Sequence, residues 1–164
     1  MIARIVVVLV VVACGPPQEP RIRRAEVVIN SRAEVPAEFQ KLVPKHGVLV
    51  AGGGDKSPVF RIVVDTDAKT IYTGKAPPAT PLHATLPEER TRELTPANEQ
   101  HLLQLANDAK TEPPPAQPPE RVKGYDEIFV VADGDSVFFL QGRGPITRPR
   151  TIKAIEALRA AGAL

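Results

Sequence analysis

The sequence predicts an α+β domain: a small antiparallel sheet with two helices packed on one face, ordered strand-strand-strand-helix-strand-strand-helix. Three observations predict it. Runs rich in β-branched and aromatic residues, clearest over residues 125–132 and 136–141, are joined by short turn signals such as Asp133-Gly134-Asp135. Two other stretches carry apolar residues at helical spacing. The chain's 18 prolines all lie beyond Gly15 and exclude a helical bundle, a coiled coil or a collagen-like rod.

Residues 25–30 have the composition of a strand. Gly47-Val48-Leu49-Val50-Ala51 is a short apolar run ended by Gly52-Gly53-Gly54, read as a strand and a flexible turn. In residues 59–65, Phe60, Ile62 and Val64 alternate with Arg61 and Asp65, the pattern of a half-buried strand. Asp65-Thr66-Asp67-Ala68-Lys69 turns the chain, and residues 70–73 return as the partner. Residues 76–92 contain four prolines and read as a loop. Thr95-Pro96 starts a helix, with threonine as N-cap and proline at the first helical position. Leu102, Leu105, Ala106 and Ala109 share one face of it. Residues 113–119 are a second proline-rich loop. The last helix covers residues 151–161, with Ile152, Ile155 and Leu158 on one side and Gly162 as its stop.

Ahead of this domain the chain changes character. Residues 1–13 are apolar except for Arg4, too short a run for the ~20 residues of a spanning helix. A brief basic start, a short apolar stretch and small residues at its end mark a secretory signal peptide. Val11-Val12-Ala13-Cys14 resembles the bacterial lipobox: an aliphatic, a small or aliphatic and a small residue before cysteine. The resemblance implies a lipoprotein in which Cys14 takes a thioether-linked diacylglycerol and becomes the first residue after cleavage. It also implies the bacterial cell envelope, and Gly15 rather than Asp after the cysteine points to the outer membrane, facing the periplasm. Cys14 is the only cysteine, so it has no disulfide partner within the chain, and lipidation explains it. Gly15-Pro16-Pro17-Gln18-Glu19-Pro20 reads as a semi-rigid tether. Residues 14–24 thus connect the anchor to a single domain over residues 25–164, about the usual size for one core.

The layout from Val48 onward resembles that of emfourin-type domains, small bacterial inhibitors of thermolysin-like metalloproteases. Gly52-Gly53 after the first strand, Thr95-Pro96 with Leu102 and Leu105, the hairpin of residues 125–141, and Ile152 with Leu158 occupy the corresponding places. The proline-rich insertion before Thr95 departs from that compact pattern. The resemblance implies the same α+β fold and an inhibitory role. A protruding loop, residues 76–92 or 113–119, would then occlude the protease cleft.

Little else suggests chemistry. His46, His83 and His101 form no His-Glu-x-x-His motif. His101 has Glu99 nearby, but near-adjacent helical positions diverge in direction. Gly52-Gly53-Gly54-Asp55-Lys56 lacks the spacing of a phosphate-binding loop, and Gly142-Arg143-Gly144-Pro145 lacks the dinucleotide pattern. The acid pairs Asp65/Asp67, Glu88/Glu89 and Asp133/Asp135 could bind calcium or act as acid and base, although turn chemistry explains both aspartate pairs. Ser31, Ser57 and Ser136 have no neighbouring histidine. A net charge of +2 names no nucleic-acid partner. Arg21-Ile22-Arg23-Arg24 either attracts acidic headgroups or is a solvated chain start.

The expectation is therefore a lipid-anchored envelope protein with a small non-enzymatic binding or scaffolding domain. It meets the membrane through lipid on Cys14, needs no cofactor or metal, and has an unidentified protein partner. Two alternatives stand beside it: an emfourin-like inhibitor of a secreted metalloprotease, and an envelope hydrolase without a linear motif.

Overall fold

The computed structural model describes residues 26–117 and 119–162. The signal peptide, Cys14, the tether and the Arg21–Arg24 cluster lie outside the described residues. Among the described residues seven strands are formed: β1 (Glu26–Ser31), β2 (His46–Gly54), β3 (Val59–Asp65), β4 (Thr70–Ala76), β5 (Glu88–Glu93), β6 (Tyr125–Asp133) and β7 (Ser136–Gly142). They pair antiparallel throughout in one open sheet, ordered β1-β7-β6-β2-β3-β4-β5. Three α-helices accompany it among the described residues, α1 (Ala37–Gln40), α2 (Pro96–Lys110) and α3 (Pro149–Gly162), with a 3-10 turn at Arg32–Glu34. The α+β class and the antiparallel sheet agree with the sequence. The expected element order omits β1, α1 and β5.

Alternation of side chains sorts the sheet into two cores. On one face Val48, Val50, Ile62, Phe129 and Leu140 pack beneath Leu102 and Leu105 of α2 and Ile155 and Leu158 of α3. On the other, Leu49, Val130 and Phe139 meet Phe39 of α1 and Leu82 and Leu86 of the segment after β4. Each fully buried aliphatic side chain stabilises by about 1.5–3 kcal/mol. Central strands buried on both faces, β2 and β6 above all, therefore hold the sheet. Only the two long helices share a face; the expected one-sided cover is completed on the other side by α1 and a loop.

Three local readings are corrected. β5 was hidden because Glu88–Glu93 is exposed at every position; an edge strand held by backbone bonds shows no apolar alternation. β2 runs through Gly54, so the glycine triplet is strand and not a flexible turn. A side chain at Gly54 would collide with the Gly124 backbone across the β2–β6 pair. Gly162 is the last residue of α3, as expected, and a Cβ there would sit 2.7 Å from Thr73 Cγ2. It permits close packing of helix on sheet. The buried stripe of α3 is Thr151, Ala154, Ile155 and Leu158, and Ile152 is exposed.

The strongest sequence signals hold. Thr95 accepts a hydrogen bond from the Asn98 amide at 3.4 Å and Pro96 opens α2. Gly134, with φ +60°, turns β6 into β7. Among the described residues no helix is long and apolar enough to cross a membrane.

Candidate functional site

The acid and histidine candidates are arranged in ways the linear sequence hides. His46 Nδ1 lies 2.8 Å from Asp67 Oδ2, and its Nε2 lies 3.9 Å from Asp133 Oδ1. One member of each aspartate pair thus meets a histidine where two hairpin turns converge. Asp65 instead accepts the Asp67 and Ala68 amides at 2.9 Å each, the turn chemistry expected of it. His83 stands edge-on to Phe39, with ring centroids 6.0 Å apart. Glu99 binds Lys69 at 2.7 Å, away from the exposed His101. Among the described residues, no group of three histidine, cysteine or acidic side chains could hold a metal ion.

The two ends of the sheet differ in chemistry. β5 ends it with Glu-Glu-Arg-Thr-Arg-Glu, charges that discourage another strand from adding. β1 ends it with Val27 and Val28 exposed at 45% and 43%. Among the described residues, β1 pairs only with β7. Its outer backbone groups are therefore placed to accept a further strand.

Beside β1 opens a cleft of about 640 Å³, lined by Val28, Phe138, Pro114, Pro115 and Pro119, with Glu26 and Arg148 at its base. Arg148 is nearly buried and pairs with Glu26 Oε2 through Nε and Nη2 at 3.0 and 2.9 Å. It also donates from Nη1 to the Glu112 carbonyl at 3.3 Å. The Glu112 carboxylate caps α3, accepting from the Arg150 and Thr151 amides at 3.0 and 3.1 Å. These charges fasten the proline-rich segment and α3 to β1. The cleft is held in shape by that one ion pair and the Glu112 hydrogen bonds, and its apolar wall is joined by Asn30 and Lys110.

A second recess, of about 330 Å³, lies over β3, β4 and β5 on the opposite face. Arg61 forms its floor. The sequence places Arg61 on an outward, solvated side of β3, yet it is only 3% exposed. Val59 and Val63 share its face, and these flanking valines were the available sign of burial. Its Nη2 donates to the Ala84 carbonyl at 2.5 Å. The Tyr72 hydroxyl donates to Glu89 Oε1 at 2.5 Å. Burial, helped by that bond, pushes the Tyr72 hydroxyl up to about 12. Burial also lowers the Arg61 guanidinium from its usual value.

Of the two loops considered for occlusion, the first is held down. Leu82 and Leu86 are buried and Ala84 is tied to Arg61. The chain matches no family model, no curated protein and no solved structure.

Proposed function

We propose that this chain is a lipid-anchored envelope protein whose domain binds an extended segment of a partner protein along β1, without catalysing a reaction. The observation that carries this reading is the contrast between the two sheet edges. One is guarded by charge at every other position or better, and the other presents exposed valines beside an apolar cleft. A partner strand added to β1 would gain backbone hydrogen bonds, and alternate side chains would enter the cleft beside Val28 and Phe138. The partner segment is therefore extended, with apolar residues at alternate positions. The lipobox resemblance supports anchoring at Cys14, and the tether read in the sequence would join that anchor to the domain that carries β1.

The polar groups at the cleft's base point away from a catalytic role. Arg148, Glu26 and Glu112 bind one another and the start of α3, whereas a catalytic site needs groups aimed at a reacting atom. The inhibitor reading, which follows from the layout resemblance, would rest on the second loop, residues 113–119, once the first loop is held to the sheet.

Photo-crosslinking in the native cell tests the proposal. A crosslinking residue replacing Val28 should give a discrete protein adduct, and one replacing Arg90 on β5 should give none. Equal adducts from both edges, or none from either, would overturn binding along β1.

A further inference from the structure

We propose that the recess floored by Arg61 is a binding site for a small monocarboxylate, separate from the β1 edge and independent of its function. The geometry is that of a cation buried without an anion. Among the described residues no carboxylate oxygen lies within 4.0 Å of the Arg61 nitrogens. Its Nε is buried and has no hydrogen-bond partner among them. A guanidinium presents several N–H donors in a planar fork, and the Ala84 carbonyl occupies one nitrogen only. Burying such a group is costly unless its charge and donors are met.

The neighbouring groups do not meet them. Glu89 also lines the recess but is turned to the Tyr72 hydroxyl instead. The Tyr72 proton is thereby committed, so the Tyr72 oxygen offers the recess no free donor. Lys41 and His83 stand at the rim, and Leu42 and Val63 supply apolar wall. A planar carboxylate matches the guanidinium fork, and a short apolar tail matches the wall. A phosphate dianion fits less well, because Glu89 and Asp65 also line the recess and repel a second charge.

The test uses the full chain, isotopically labelled with ¹⁵N and ¹³C and held in detergent. The Arg61 Nε–Hε resonance reports the site directly without any substitution. Butyrate should shift it, and the Tyr72 ring signals, with saturation in the millimolar range; inorganic phosphate at the same ionic strength should not. Glu89→Gln, which removes a repelling charge, should tighten butyrate binding several-fold, and Arg61→Lys should abolish the saturable shift at Tyr72. No saturable shift with butyrate would overturn the proposal and leave Arg61 a structural cation. Equal saturable shifts with phosphate would overturn the carboxylate assignment. Weaker butyrate binding in a folded Glu89→Gln variant would overturn the assigned geometry.

Discussion

Truncating the two consecutive phenylalanines of β7 should reveal that one core is closed and the other opens onto a cleft. Their side chains must leave the strand on opposite faces. Phe139 is fully buried, with its ring centroid 5.9 Å from that of Phe39. Phe→Ala in a closed core costs about 3–5 kcal/mol, and loss of an aromatic pair adds about 0.5–1.5 kcal/mol. Phe139→Ala should therefore cost about 5 kcal/mol. Phe138 is 5% exposed and lines the cleft beside β1. Its removal widens an open space that water can fill, so Phe138→Ala should cost about 3 kcal/mol, the lower end of the same range. A domain of ordinary stability, about 5–15 kcal/mol, survives the second change and stands near unfolding after the first. The chain has no tryptophan, so urea titration followed by far-UV circular dichroism is the suitable assay. A reversed order, or losses below about 1 kcal/mol at both positions, would refute the assignment of Phe139 to the closed core.

Three further outcomes are expected. Burial raises the Glu127 carboxyl above its ordinary 4.5, while the Ile146 amide at 2.8 Å and Arg159 oppose the rise. The folded state then binds more protons than the unfolded one, so this contribution to stability is present at low pH and lost as pH rises through the folded value. Glu127→Gln should remove that downward slope above about pH 4.5 in urea titrations; an unchanged slope would contradict it. Arg148→Met leaves Glu26 buried without its cation and should cost about 3–5 kcal/mol, most of it restored by adding Glu26→Leu. A double variant no more stable than the single one would contradict a direct pair. Glu112→Ala removes the cap from α3 and should cost about 1–2 kcal/mol by the same titration; a change below about 0.3 kcal/mol would contradict capping.

What the sequence revealed depended on whether a local pattern had a single cause. Thr95-Pro96 and the 125–141 hairpin were legible because caps, turn residues and β-branched runs act over a few neighbouring residues. β5 was not, since its six residues are held by backbone bonds to β4 and carry only charged or polar side chains. α1 has too few residues to show a period, and Phe39 is its one buried side chain. The sites were less legible still. Arg61 resembled any outward-facing strand residue until the segment around Leu82 and Leu86 covered it. The Arg148–Glu26 pair joins residues 122 positions apart, and no spacing rule reaches that far. His46 likewise meets Asp67 and Asp133 only because β2 lies between β3 and β6 in the sheet.

Anchoring of β1 to a membrane is tested most directly by intact-mass spectrometry of the chain recovered from fractionated cells. The lipobox resemblance predicts a membrane-fraction species that begins at Cys14 and carries diacylglycerol on its sulfur, with Cys14→Ala moving the chain out of that fraction. A soluble chain with an unmodified Cys14, or one that retains Met1, would contradict it.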